Sequence, residues 1–431
     1  MRRHVQPRPL LPHRHRPTTR WRATHAALLT LLLAACGRPE VDGFLSKPIP
    51  LRLARGMAFA LIRYGEGPPL TALLDSAAPV SALAAGGGAA APHRRDALRL
   101  LDAEHPEVTR FMVADQDTYE VPMHGVGLDH AQPIQAVVGA PLLSLFSVRL
   151  SHAGRPPSVT IRDEIPDSTE ELAGDCDPWQ MVRPTGAGST SPCPAIFLTR
   201  RLGGGILSLG GVEQRTPASR LAVPVCMLAA PFDPRSDKPE RIGPGGVPAT
   251  AVLSTGLGVS VIARSTFERL RAADPTIPEQ VGHTLNLPSG PESVSLTRIS
   301  RLSLVSDESR DLGPCAEQAR RRRLLVANRA TAIPSDLDQY GASVAELLAP
   351  VELAVLRDDA PLLQGLRQEL RTTVPDVDLV LGASVLANFD VDLDYPSERT
   401  ILRCAATAAG SPCRVLPHCS GRGDRPACLQ D

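Results

Sequence analysis

Two short stretches of this chain could present reactive side chains at a tight turn, and they are copies of one another. Residues 69–81 read Pro-Leu-Thr-Ala-Leu-Leu-Asp-Ser-Ala-Ala-Pro-Val-Ser, and residues 248–260 read Pro-Ala-Thr-Ala-Val-Leu-Ser-Thr-Gly-Leu-Gly-Val-Ser. At an offset of 179 they agree at six of thirteen positions. Each is an apolar strand running into small polar residues, a pattern that puts one side chain at a strand end. The first turn offers Asp75 there and the second Ser254. A lone carboxylate can act as a base, and a carboxylate pair sharing one proton can act as base and acid together. The chemistry of this chain turns on that one difference.

A second pair repeats in the same order. Residues 137–150 (VVGAPLLSLFSVRL) and 380–393 (VLGASVLANFDVDL) agree at seven of fourteen positions, now at an offset of 243. Two motifs repeated in order predict two related lobes. The growth in offset places a large insertion in the second lobe, over about 300–375.

The pattern resembles the pepsin-like and retropepsin-like aspartic peptidases. In that family each lobe contributes an Asp-Thr/Ser-Gly turn after an apolar strand, then a hydrophobic-hydrophobic-Gly strand. Here the turns are Asp75-Ser76-Ala77 and Ser254-Thr255-Gly256, and the later strands are Val137-Val138-Gly139 and Val380-Leu381-Gly382. Gly205 to Glu213 resembles the family's entry into its second lobe, and Asn388 to Tyr395 its closing strands. The resemblance covers residues 45–404. It implies a mostly β, bilobal pepsin-like fold with an interlobe cleft and a few short helices. It also implies that Ser76 and Thr255 cross-brace the two turns, and that Tyr119 is a flap aromatic.

The chain departs from the family where the chemistry is done. The family's second Asp is Ser254, whose hydroxyl holds a water but accepts no proton near neutral pH. Losing one member of a unit that acts together costs orders of magnitude in rate. Ala77 replaces a glycine that lets the backbone pass close to the carboxylates. A Ser254 nucleophile would need a positioned His or Lys base, and no His lies close in sequence to either turn. His93, His105, His124, His130, His152 and His283 lie elsewhere in the chain. The expected function is therefore a degenerate peptidase that binds a peptide or polymer in the cleft. The alternatives are an active acid endopeptidase with a substitute carboxylate from Asp336, Asp338, Asp358 or Asp359, and a purely structural envelope protein.

The elements that position these turns follow from pattern. Met57 to Tyr64 reads as a strand, residues 65–69 as a turn, and Leu70 to Leu74 as the strand leading to Asp75. Arg95 to Glu104 is expected as a short helix. Phe111 to Val121 is expected as a hairpin around Asp115-Gln116-Asp117, with Tyr119 on it. Ser265 and Glu268 have capping-box spacing for a helix after the second turn. Helices are also expected near 343–357 and 360–372. Gly86–Gly88 lacks the Lys-Ser/Thr of a phosphate loop.

The N-terminus and cysteines concern location. The first 35 residues carry seven Arg and no acid, and they end in an apolar run from Ala26 to Ala35 before Cys36. That is the layout of an export signal, and the run is too short to span a membrane. Leu33-Ala34-Ala35-Cys36-Gly37 resembles the bacterial lipobox, which implies lipidation at Cys36 and a membrane anchor on an envelope face, expected to be that of the outer membrane. Without the signal the chain keeps 39 basic against 46 acidic residues, a net of −7. The Arg run 320–323 reads as a solvated face, so no nucleic-acid partner is expected. Eight further cysteines in an oxidising compartment read as disulfides. Cys176 and Cys193 bracket the linker 164–196, where a bridge would stabilise by roughly 3 kcal/mol in the chain-entropy model. Lobe 1 spans 45–163, lobe 2 spans 197–404, and a Cys-rich tail covers 405–431. The last four cysteines of the chain, Cys404, Cys413, Cys419 and Cys428, with His418 nearby, lack Cys-x-x-Cys spacing, so neither a metal nor a cofactor is expected.

Overall fold

The fold is seen in a computed structural model of the chain. It describes residues 41–43, 47–85, 91–152, 156–162, 246–305, 349–370 and 377–395, with shorter stretches between 196 and 228, 313 and 319, 344 and 347, and 399 and 416. The signal, Cys36, Asp336, Asp338, Cys176, Cys193 and most of the linker lie outside the described residues.

In lobe 1, strand β1 (Met57–Tyr64) turns back into β2 (Leu70–Asp75), followed by β3 (Ser81–Ala84), β4 (Ala91–Leu101), β5 (Thr109–Val121), β6 (Gly127–Leu128) and β7 (Ala136–Gly139). A short helix α1 (Ala140–Leu143) leads to β8 (Ser147–Ser151). In lobe 2, β9 (Val247–Leu253) and β10 (Ser260–Ala263) flank the second turn, and α2 (Arg264–Ala273) follows. The hairpin β11 (Glu279–Leu287) and β12 (Gly290–Ile299) comes next, then β13 (Val351–Leu356), α3 (Pro361–Leu370), β14 (Leu379–Leu381), α4 (Ala383–Leu386) and β15 (Phe389–Asp394).

The duplication read from sequence is a duplication of register. In lobe 1, β7 runs parallel to β2 with Val137 opposite Leu73, and antiparallel to β3 with Val137 opposite Ala82. In lobe 2, β14 runs parallel to β9 with Val380 opposite Val252, and antiparallel to β10 with Val380 opposite Val261. Every equivalence obeys the offsets of 179 and 243. Gly139 and Gly382 close these units for one reason. A Cβ on Gly139 would lie 2.2 Å from the Val80 carbonyl, and one on Gly382 would lie 2.7 Å from the Val259 carbonyl. Only glycine admits so close a backbone crossing.

The lobes share a six-stranded sheet, in which β8 of lobe 1 pairs antiparallel with β15 of lobe 2. One continuous hydrophobic core lies behind both turns, with Leu74, Val138, Leu253 and Leu381 in it. Within lobe 2, the Cys226–Cys315 disulfide joins the strand Arg220–Leu228 to the start of the insertion. Cys413 is disulfide-bonded as well.

The structure departs from several sequence expectations. Residues 95–101 belong to β4: from 97 to 100 burial alternates, with Leu98 and Leu100 buried and Ala97 and Arg99 not, a period of two that breaks at the register shift before the buried Leu101. Residues 111–121 form part of the single strand β5, and the hairpin turn falls at 102–108. Asp115, at φ 54°, kinks that strand without reversing it. The expected helix near 343–357 is two strands, Val344–Leu347 and β13, with Pro350 between them. Valines and a proline favour that outcome over a helix. Helix α2 forms, but not through its capping box. Ser265 donates from N and Oγ to Asp358 at 3.0 and 2.7 Å, so a distant carboxylate serves the helix start. Boundaries shift too: Val41–Gly43 already pairs with β5, and the tail strand Cys413–Leu416 joins the lobe 2 sheet. Helix α3 and the strands around Asp75 match expectation.

Candidate functional site

The two turns meet at the junction between the lobes. Ser76 Oγ donates to the Leu253 carbonyl at 2.8 Å, and Thr255 Oγ1 donates to the Leu74 carbonyl at 2.8 Å. Each hydroxyl also accepts from the other's backbone: Ser76 N donates to Thr255 Oγ1 at 3.0 Å, and Thr255 N to Ser76 Oγ at 3.2 Å. Both side chains are buried. Ser76 and Thr255 thus join the two turns by four reciprocal bonds, more than the bonds within one turn that Ser and Thr ordinarily make.

At the strand ends the reciprocity breaks. Asp75 Oδ1 accepts three hydrogen bonds, from Ala77 N at 2.8 Å, Ser254 Oγ at 2.9 Å and Gly256 N at 3.3 Å. Asp75 is partly exposed, whereas Ser254 is fully buried, its own N–H donated to the Leu381 carbonyl at 2.8 Å. Amides from both turns therefore serve one acid. A water activated between two carboxylates needs two acceptors that trade a proton, and among the described residues this junction holds one.

The walls beside the turns are covered. Side chains two residues before each key position point to the same face of the strand, so Leu73 and Val252 flank the junction. They are 1% and 0% exposed. Leu73 packs with Val137, Met57, Val126 and Ile134, and Val252 packs with Val380, Ala77, Leu257 and Leu285.

A strand pair also crosses from lobe to lobe. β6 lies antiparallel on β11, with Leu128 opposite Leu285 and Gly127 opposite Asn286. Asp129 extends it: its N donates to the Thr284 carbonyl at 2.7 Å, and its carboxylate accepts from Thr284 N at 3.0 Å and meets His283 at 3.0 Å. Those bonds hold the Asp129 carboxyl below the usual carboxylate range, the Thr284 amide more than the imidazole. Arg55 adds a bond to the Leu128 carbonyl at 2.7 Å. Nothing in the sequence signals this bridge, because a two-residue strand carries no periodicity.

The remaining expected residues fall elsewhere. Tyr119 lies within β5 opposite Ala82, its ring 5.3 Å from His93, so it is a residue of the sheet and not of a hairpin tip. Asp358 is engaged by Ser265 and Arg367, and Asp359 by Arg357, so neither described substitute acid contacts the turns. Among the described residues His93 pairs with Asp117, His105 with Glu107, His283 with Asp129, and His152 with the Phe389 carbonyl; none reaches Ser254. No group of three or more His, Cys, Asp or Glu among the described residues is arranged to hold a metal.

No protein-family model matches the chain, and no curated protein is detectably similar to it in sequence. Among solved structures it is similar to basic 7S globulin from soybean, at 10% identity over 87% of this chain and 98% of that one, with a TM-score of 0.39. It is also similar to the aspartic proteinase from Irpex lacteus, at 13% identity over 85% of this chain and 99% of that one, with a TM-score of 0.37. Both scores lie below 0.5, and the duplicated register and braced turns describe the fold by themselves, as two related halves. The chain has a mostly β, bilobal fold, and among the described residues Asp75 is the one carboxylate where its two duplicated turns meet.

Proposed function

We propose that this chain is an exported, lipid-anchored envelope protein that has kept the aspartic-peptidase architecture, has lost peptide cleavage, and binds a peptide or polymer segment at the interlobe junction. The loss of cleavage rests on a single contact. Ser254 Oγ donates to Asp75 Oδ1 at 2.9 Å, where the two-carboxylate mechanism needs a second acid. The hydroxyl cannot take a proton from water at the pH where such enzymes work. Retention of the buried four-bond brace supports selection for the junction as a scaffold. The partial exposure of Asp75 leaves a carboxylate for a ligand's amide or ammonium group. Export and anchoring follow from the basic and apolar N-terminal segment and Cys36, with the membrane as partner.

A second reading, a structural envelope protein with a vestigial cleft, is favoured by the burial of Leu73, Val137, Val252 and Val380 beneath the chain itself. Incubating the purified protein with a denatured protein substrate from pH 2 to 7 tests the first claim. No cleavage above that of Asp75→Ala is expected; cleavage abolished by Asp75→Ala would overturn it. A labelled random-sequence peptide pool then separates the two readings: retention that weakens in Asp75→Ala supports binding, and no retention supports the structural role. Incorporation of labelled fatty acid, lost in Cys36→Ala, tests the anchor.

A further inference from the structure

The two turns are matched in volume as well as in hydrogen bonding. A Cβ built on Gly256 would lie 2.5 Å from both Cβ and Cγ of Asp75, and 2.8 Å from its Oδ2. Real side chains do not approach so closely, so Asp75 fits only because position 256 is glycine. The lobe equivalence that relates Asp75 to Ser254 relates Ala77 to Gly256, each at an offset of 179. On that side of the junction the methyl exists. Ala77 is buried, packed in the lobe 2 wall with Val252 and Leu257.

We infer that Ala77 is the residue that decides what position 254 can hold: its methyl fills the volume a second carboxylate would need, so Ala77 and Ser254 form one coupled change. This inference rests on the silent-site reading and specifies why restoring the acid alone would not revive the site. Hydrogen bonding points the same way. The amides of Ala77 and Gly256 both donate to Asp75 Oδ1, and among the described residues no donor serves Ser254 Oγ. An acid at 254 would meet a methyl, find both turn amides engaged, and face the Asp75 charge. A serine avoids all three, being small, neutral and itself a donor.

The test is a double-mutant cycle on the mature full-length chain, read by thermal unfolding and by cleavage of a denatured protein substrate at acid pH. Ser254→Asp and the uncharged, equally large Ser254→Asn are each expected to lower Tm by several degrees. Adding Ala77→Gly to either should return more than half of that loss, although Ala77→Gly alone gains nothing. The pair Ala77→Gly/Ser254→Asp should then cleave at acid pH, and Ser254→Asp alone should not. Additive losses overturn the inference, as does a Ser254→Asn chain as stable as the parent, because charge and not the methyl would then be the obstacle. If neither double variant folds while Ala77→Gly does, the methyl is again not the obstacle. Cleavage by the parent chain that is lost in Asp75→Asn would sink the silent-site reading and leave the stability coupling standing.

Discussion

Arg149 and Asp392 occupy the same position in the two halves, related by the offset of 243, and they lie directly opposite each other where β8 meets β15. The guanidinium grips the carboxylate with bonds of 2.6 and 3.0 Å. A two-fold contact between identical halves would set this residue against its own copy. Two copies of either charge would repel there, and the chain instead carries one of each. Flanking them, Ser147 donates to Asp394 at 2.7 Å and Ser151 to Asp390 at 2.9 Å. Arg149→Asp should therefore destabilise by about 2–4 kcal/mol in urea unfolding, since Asp392 is buried and would face a like charge. The swap Arg149→Asp/Asp392→Arg should recover most of that loss. Failure to recover would mean that the pair's surroundings, not its mutual attraction, set its value.

The brace across the turns predicts a strong effect from an isosteric change. Thr255→Val keeps the shape but removes the acceptor for Ser76 N and the donor to the Leu74 carbonyl, both buried. Leaving such groups unpaired costs about 1–3 kcal/mol each. Urea unfolding should show a loss of about 2–4 kcal/mol, and the Ser76 amide should exchange with solvent much faster than the amides of β2.

The strand bridge between lobes should be sensitive to acid. Asp129 is held below the ordinary carboxylate value, first by the Thr284 amide and then by His283. A depressed carboxyl contributes stability that is complete above its unfolded value, near pH 4, and is lost as pH falls through the folded value. Hydrogen exchange at Thr284 and Leu285 should thus be slow at pH 5 and quicken as pH falls below the ordinary carboxylate range, about pH 4, relative to amides of β9. Asp129→Ala should show the fast pattern at every pH. Equal protection of the parent chain across that range would show that backbone pairing alone carries the bridge.

Within lobe 2 a buried ion pair ties α3 to the strand Arg220–Leu228. Arg220 Nη2 donates to Glu369 Oε2 at 2.9 Å, with the side chains 1% and 6% exposed. Removing one partner strands a buried charge, so Glu369→Ala should cost about 3–5 kcal/mol. Replacing both, as Arg220→Met/Glu369→Leu, should be far milder. Chemical denaturation of the three proteins distinguishes a stranded charge from lost packing.

The sequence by itself determined the doubling, the strands leading to Asp75 and Ser254, the hydroxyl pair Ser76 and Thr255, and the missing acid. These are legible because a duplicated motif compares each residue with its own copy, and an apolar strand entering a small-residue turn is a local signal. Local signals misled where partners are distant. Residues 95–101 contain good helix formers, yet the sheet buries Leu98 and Leu100 on one face and makes them a strand. Ser265 has capping spacing, yet Asp358, 93 residues away, reaches it first. Only the tertiary structure brought β6 onto β11, set Arg149 against Asp392, and put Gly256 within a methyl's reach of Asp75. Those facts depend on distances between segments over a hundred residues apart, which residue order constrains only through the energy of the whole packed core.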